Sequence, residues 1–559
     1  MNKYLQGFRP YIWLSLLCFV MFFSGISSVP VMDRDEARFA QATKQMLETN
    51  DFVQIRYQDT ARNKKPVGIY WLQALSVSAF SSSDTNKVWA YRVPSAIGAW
   101  LAVILTFMFG QILFDRRTAF LASFFLASSV LLSVESHLAK TDAMLLATTV
   151  LTLGSLGVVY FKERHIYEIN CPWCHRYFLA FLFWFGLGCS VLIKGPLIPV
   201  IVILTIGALF AVEKRAWWLK SLYPIWGILL FIAIVAPWFY LINQATGSNF
   251  MKNAFLEDML PKIIGGSESH GAPPGYYLLL VSLTLWPASL YLWPAIIGAK
   301  RDKDNPSTKF CMAWAYPSWI MFELVPTKLP HYVLPLYPAL VLIIARSLII
   351  TWRNTDILFL HKFNKIWSVV WSFIGVILAG GFIYLSKELG QGAFYPWALI
   401  AAALALAVTY MARYEQKRYS YFSSGIWAAS LASLMFLIVF CKLMPSLDKL
   451  WLSREVAHKI EVMNRAQDAE IFAVGYHEPS LVFLVGTKTK LVTLDEAVAL
   501  FKNKKPVIAV IADGYDKDFT SKIKKKKLKL FLKGEVKGLN YSRGKDLTLR
   551  IYSNYNMEH

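Results

Sequence analysis

Residues 32–47 read MDRDEARFAQATKQML, and residues 50–73 read NDFVQIRYQDTARNKKPVGIYWLQ. Asp33, Arg34, Asp35, Glu36 and Arg38 arrive just after the first long apolar run, where a helix has left a bilayer and a charge costs less than it does inside. From Phe39 the apolar Ala42, Met46 and Leu47 recur at helical spacing, while Arg38, Gln41, Lys44 and Glu48 take the opposite side. That is the pattern of a helix lying on a membrane surface. Ile69 to Phe80 reads the same way. Two short surface helices joined by a polar loop would hold an acidic pair, Asp35 and Glu36, and a basic pair, Lys64 and Lys65, over the mouth of a helical bundle.

The rest of the chain supplies the bundle. A hydrophobic fraction of 56% with only 17% charged residues, and a mean hydropathy of +0.42, exclude an ordinary soluble enzyme and specify a polytopic α-helical membrane protein. Each span needs roughly 20 apolar residues. Such runs cover Tyr11–Ser28, Trp89–Leu113, Ala119–Val134, Ala143–Phe161, Tyr177–Ile193, Leu197–Val212, Leu222–Ile242, Tyr276–Ile297, Phe310–Phe322, His331–Ile350, Trp367–Leu385, Phe394–Tyr410 and Ser424–Cys441, about thirteen in all. Lys3 and Arg9 before the first run resemble a signal-peptide start, but no small-residue cleavage pattern follows, so an uncleaved span with a cytoplasmic N-terminus is expected. The short loops expected on the cytoplasmic side are all basic, from Arg116 and Arg117 through Lys214, Arg215 and Lys220 to Arg413, Lys417 and Arg418. The opposite loops are short and nearly uncharged, or long and mixed in sign.

A net charge of +22 raises the question of nucleic acid, but the basic residues are scattered between spans rather than gathered in one module. Basic loops and contact with anionic lipid account for them, and no nucleic-acid partner is expected. Beyond Pro445 the hydropathy falls. Strand-like Ile471–Val474, Leu481–Val485, Val507–Ala512 and Leu547–Tyr552, with helix-like Asp495–Phe501, give residues 446–559 the pattern of a small α/β domain, exported by the parity of the spans. Cys171-Pro172-Trp173-Cys174-His175 matches the c-type haem attachment pattern but falls in a cytoplasmic loop, the wrong side for that chemistry. A zinc site using His165 or His175 stays open.

The polar interruptions of residues 1–445 all fall on the exported side. They are the first loop, about residues 30–87; HLAKTD, with Lys140 and Asp142; the Lys194-Gly195-Pro196 turn; the loop carrying His270; and Glu323 to His331, with Lys328. Capping and snorkelling explain any one of them, and a polar cavity opening outward explains the set. Adjacent residues on a helix diverge by about 100 degrees, so one of Asp35 and Glu36 is expected to act as base and the other to be structural. Asp142 reads equally as a second acid or as a helix N-terminal cap. Arg38, Lys64, Lys65, Lys194 and Lys328 carry the charge that neutralises phosphate, and His331 suits phosphate or hydroxyl.

RDEARFAQATKQML, KKPVGIYWLQ, HLAKTDAML, LIKGPLIP and TKLPHYVLPLYPAL, in this order over about Met32 to Ile350, resemble the successive motifs of the bacterial aminoarabinose lipid A transferases and the wider protein O-mannosyltransferase clan, the GT-C glycosyltransferases. The resemblance implies a GT-C fold with an exported C-terminal domain in a bacterial inner membrane. It implies inverting transfer of a sugar from a polyprenyl (undecaprenyl) phosphate donor to lipid A or another envelope glycan or protein. It also implies Asp35 and Asp142 as the catalytic acids, and Lys65 matches the family lysine; from their charge and place in the chain Glu36, Arg38, Lys64, Lys194, His270, Lys328 and His331 are the other expected substrate and phosphate contacts. The family's Glu-Lys-Pro-Pro is here Lys64-Lys65-Pro66-Val67, which leaves the sugar and any divalent metal open; no metal ligand is assigned and no cofactor is required. A lipid-linked glycan flippase, and a glycan ligase or polymerase of similar architecture, are the alternatives. A flippase would show repeated halves and midplane charges, and neither is found.

Overall fold

The computed structural model describes residues 5–81, 86–163, 175–247, 250, 271–353, 362–390, 395–464, 469–502 and 505–556. Within them every apolar run read from the sequence is helical, and the breaks have local causes. The third run is two helices, Arg116–Ala127 and Val130–Ser136, bent by 61°. At the bend Ser128 and Ser129 turn their hydroxyls back onto the carbonyls of Phe124 and Leu126, and the amide of Val130 donates to the carbonyl of Trp286, in the turn after helix Tyr276–Thr284. Among the described residues eight helices are long and apolar enough to cross a bilayer, or nine if the bent pair is one span. Small residues let the bundle close. A Cβ on Gly98 would lie 2.6 Å from the Met144 backbone, so helices Trp89–Leu113 and Asp142–Lys162 touch main chain to main chain there.

The charged stretch after the first span forms helix Asp35–Thr49 and, after a short hairpin at Arg56–Tyr57 and Thr60–Ala61, helix Gly68–Phe80. Its anchor is one buried ion pair. Glu36 accepts from Arg92 Nε at 2.7 Å and Nη2 at 2.8 Å, with the two side chains 2% and 0% exposed. The remaining Arg92 donors go to the carbonyls of Ile26, Val29 and Pro30, which occupies the whole guanidinium. Glu36 also accepts from the amides of Met32 and Ala139, both at 2.8 Å. The pair therefore fastens together the exit of the first span, the loop helix, helix Trp89–Leu113 and the strand of chain leading to Asp142. Its lone pairs and protons are satisfied, which is the condition for a buried pair to hold.

After Ser446 the chain forms helix Leu452–Asn464 and a five-stranded sheet with its own apolar core. The strand order is Lys490–Leu491, Glu470–Val474, Val507–Ala512, Lys545–Ser553, Phe531–Asn540. The first three run parallel and the last two antiparallel. Leu481–Val485, expected as a strand, lies in helix Pro479–Val485. A run of five apolar residues fits either state, and here Pro479 begins a helix that Gly486 ends.

This helix and the chain after it sit on the polar face of helix Asp35–Thr49. That face, expected in solvent, is covered: Gln41 and Lys44 are buried. Gln41 donates to the Thr487 hydroxyl at 2.8 Å, which in turn donates to Glu48 at 2.8 Å. Gln58 reaches the carbonyls of Thr487 and Thr489, and Tyr91 meets Phe483 edge-on at 5.3 Å.

Removing one partner of the Glu36–Arg92 pair strands the other. Arg92→Met and Glu36→Leu are each expected to cost about 3–5 kcal/mol, and the double substitution less than either. Thermal unfolding of the four proteins in detergent measures this, and a double variant less stable than both singles would contradict the assignment.

Candidate active site

Ends of several helices bring a charged cluster to one place at one end of the bundle. Asp142 opens helix Asp142–Lys162. Lys194 closes helix Arg176–Lys194, because Gly195 follows with a φ of +77° that only glycine adopts without strain. Glu135 lies at the end of Val130–Ser136, and His331 in the tight turn Pro330–Leu336. The Lys194 ammonium bonds to Asp142 and lies 5.4 Å over the Tyr332 ring. Lys140 bridges Glu135 at 3.2 Å and Asp142 at 3.8 Å. The His331 ring stands between the same two acids, at 3.7 Å from Glu135 and 3.9 Å from Asp142. Burial alone would lower the affinity of Lys140 for its proton, but Glu135, Asp142 and Asp35 outweigh it and hold the ammonium above the usual lysine range.

Asp35 stands over this cluster. The turn before it places Arg34 at φ 66°, a left-handed conformation that a non-glycine residue adopts at a cost. The consequence is that Asp35 begins the helix facing outward, while Glu36 turns inward to Arg92. Asp35 is exposed, and its carboxylate has no hydrogen bond or ion pair among the described residues. It is near enough to Lys140 to add to that group's field. Arg38, half-buried, likewise has no polar partner among the described residues. Lys65 is half-buried and adds to the positive field at His331; Lys64 is exposed.

Three expectations change. Glu36, expected to contact substrate, is consumed by Arg92 and two amides and has nothing left to offer. Lys328, expected on phosphate, donates instead to the carbonyls of Phe322, Glu323 and Val325 at 3.2, 2.7 and 2.7 Å, capping helix Pro306–Leu324. Asp142 is 3% exposed with its oxygens on lysine ammoniums, so its direct partners in the structure are the cations of the cluster. His270 lies outside the described residues, as do Cys171 and Cys174. Two members were missed in the sequence, Glu135 and Arg92. Each is an ionisable residue within or at the end of an apolar run, and that was the available signal.

Glu135, Asp142 and His331 each offer a ligand atom within 4.8 Å of the others, close enough for a metal ion. The carboxylate oxygens that would face a cation already meet Lys140 and Lys194, so the two ammoniums fill the place of the positive charge. The residues present do not fit a dication at this cluster.

A family model described as dolichyl-phosphate-mannose-protein mannosyltransferase matches residues 12–250. An uncharacterised protein of Aquifex aeolicus is 28% identical over 376 residues, 67% of this chain and 79% of its own length. An undecaprenyl phosphate-alpha-4-amino-4-deoxy-L-arabinose arabinosyl transferase of Pseudomonas paraeruginosa is 25% identical over 438 residues, covering 77% of this chain and 75% of that one. The crystal structure of ArnT from Cupriavidus metallidurans bound to undecaprenyl phosphate superposes with a TM-score of 0.79 at 16% identity, over 98% of this chain and 99% of that one. The chain has the GT-C glycosyltransferase fold and is similar in sequence to the aminoarabinose transferases.

In this GT-C enzyme the C-terminal domain reaches the residue two before Asp35. The amide of Asp33 donates to the Tyr541 hydroxyl at 2.6 Å, and the Ser480 amide donates to the Asp33 carboxylate at 3.1 Å. Arg34 donates to the Ser542 carbonyl. Tyr541 and Ser542 form the tip of the hairpin between the last two strands, braced by Asn540 donating to Glu478 at 3.0 Å. Burial, with the nearby charge of Glu478, raises the Asp33 carboxyl to about 6 despite the bonds from Ser480 and Tyr541.

A carboxyl whose folded pKa is raised favours the folded state only while it is protonated. Stability therefore falls as pH rises from about 4 to about 6, and the penalty is complete above that. Melting temperature in detergent is expected to decline across pH 4.5 to 7, and Asp33→Asn to flatten that decline. An unchanged slope in the variant would place the titrating group elsewhere.

Proposed function

We propose that this enzyme transfers a sugar from an undecaprenyl-phosphate-linked donor to lipid A at the periplasmic face of a bacterial inner membrane, with inversion at the anomeric carbon. In this reading residues 1–445 form the membrane-embedded transferase with a cytoplasmic N-terminus, and residues 446–559 lie in the periplasm. The observation that carries it is the exposed carboxylate of Asp35, without a partner among the described residues and held above a buried cluster of acids and lysines. The relatives' printed names and the undecaprenyl phosphate bound in the Cupriavidus metallidurans structure support the donor class; lipid A as acceptor rests on the resemblance of the motifs.

The chemistry follows from where the charges stand. An acceptor oxygen attacks the anomeric carbon, the bond from that carbon to the phosphate oxygen breaks, and undecaprenyl phosphate leaves from the opposite face with the bonding electrons. Asp35 takes the proton of a hydroxyl acceptor, or orients an acceptor phosphate that is already ionised. Such assistance contributes about 10² to 10⁴ in rate. The leaving phosphate needs cations rather than a proton donor, and Lys65, Lys194 and Arg38 are the groups assigned to it, with Lys64 at the rim. Asp142 and Glu135 act through the lysines: they hold Lys194 and Lys140 in place by direct ion pairs, and keep Lys140 charged. His331 fixes the gap between the two acids.

Mass spectrometry of lipid A from cells making the native protein, Asp35→Asn or no protein tests the reading. A sugar-sized increment is expected with the native protein only, reduced about 100-fold or more in Asp35→Asn at equal protein level. Full transfer by Asp35→Asn would remove it from the mechanism, and an unmodified lipid A in all three would remove lipid A as acceptor. Lys328→Gln is expected to leave the increment within about threefold while lowering the melting temperature, because it loses a helix cap and no substrate contact.

A further inference from the structure

At the end of the bundle away from Asp35, helix Lys362–Leu389 and helix Tyr395–Lys417 border a cavity of about 340 Å³. The first of these helices is about 40 Å long at 1.5 Å per residue. Its far end receives a hydrogen bond from Lys449, at the foot of the C-terminal domain, to the Glu388 carbonyl at 2.7 Å. The cavity is thus a membrane thickness from the active site. Lys365, Arg413 and Lys417 line it together with the Ser368 hydroxyl. None of the three cations has a carboxylate partner among the described residues. Lys365 and Lys417 are exposed and make no hydrogen bond there, and half-buried Arg413 donates to the Ser372 hydroxyl at 3.3 Å. Among the described residues no acidic side chain lines the cavity.

Two further features set its depth and its occupant. Trp293, Phe363 and Trp367 pack edge-on beside it, with ring centroids 5.3 and 6.2 Å apart, and Trp367 donates to the Ser289 carbonyl at 3.1 Å; aromatic residues of this kind gather at the headgroup level of a bilayer. On the bilayer side the wall passes without a break into a lipid-facing apolar surface. Val369, which lines the cavity, is 47% exposed, and Phe373 and Val376, one and two turns along the same helix face, are 60% and 51% exposed. A small anion from solvent would have no use for that surface. A molecule with a phosphate at one end and acyl chains at the other would cover both parts.

We infer that this cavity binds the phosphate headgroup of an anionic membrane phospholipid, on the leaflet opposite the active site. Arg413 presents the inner contact, Lys365 and Lys417 close over the phosphate from the rim, and the acyl chains lie along Val369, Phe373 and Val376. The site is separate from the donor phosphate contacts and holds whatever sugar the enzyme transfers.

The test uses the full-length protein, delipidated in detergent, and native mass spectrometry with phosphatidylglycerol, phosphatidylcholine or inorganic phosphate. Lys365→Gln with Lys417→Gln alters two exposed side chains and keeps the fold; adding Arg413→Gln completes the set. Phosphatidylglycerol is expected to be retained at least about tenfold better than phosphatidylcholine, and to lose that preference by about tenfold in the double variant. Inorganic phosphate at millimolar concentration is expected to displace none of it. Equal retention of the two lipids, or undiminished phosphatidylglycerol on the double variant, overturns the site. Displacement by inorganic phosphate overturns the lipid as its source and leaves a simple anion site.

Discussion

The pair between Glu36 and Arg92 is the constraint on which the arrangement of the active site depends. A carboxylate and a guanidinium out of reach of water are costly unless every donor and acceptor finds a partner, and here the partners are main-chain groups from separate parts of the chain. The requirement works in both directions. The pair is tolerable only because the first span, the loop helix and the approach to Asp142 converge on it, and those segments are fixed relative to one another only because the pair demands it. Asp35 gains its position as a by-product. With Glu36 pinned inward, its neighbour must project to the other side, over Lys140 and the cluster beneath.

The cluster itself is assembled from chain ends. Glu135, Lys140, Asp142, Lys194 and His331 stand where helices start or stop, so their side chains come off elements whose long bodies are held by close packing in the apolar bundle. Rigid bodies with reactive ends give a preorganised site in which charges need not move when a phosphate charge develops. Alternating acids and lysines also keep the buried group near neutrality, so that a single exposed carboxylate and the cations around it determine what the mouth of the cavity attracts.

Much of this was legible in the residues. Apolar runs located the helices, because in a bilayer each span must satisfy its own main chain and so declares itself by length. The clustering of polar interruptions on one side pointed to the site, and adjacency separated the roles of Asp35 and Glu36. What escaped depends on distant partners. Lys328 has the charge for phosphate, and only the position of three free carbonyls makes it a helix cap. Arg92 looked like part of a span until Glu36, 56 positions earlier, was seen against it. Leu481–Val485 carries no periodicity to distinguish strand from helix over five residues. Lys44 and Gln41 read as a solvated face because nothing local in them announces the domain that covers them.

That covered face has a consequence for how such enzymes can be recombined. Much of the contact between the C-terminal domain and the transferase runs through the turn at Asp33 and Arg34, helix Asp35–Thr49 and the hairpin after it, with Thr487 alone serving Gln41, Gln58 and Glu48. The natural seam between modules is therefore not the stretch where the last span ends and the sheet domain begins. A chimera that borrows a C-terminal domain from a relative must borrow the loop helix beneath it as well, although Gln41 and Thr487 are 446 residues apart in the chain. Asp35, carried on that helix, travels with the domain rather than with the bundle whose cavity it serves.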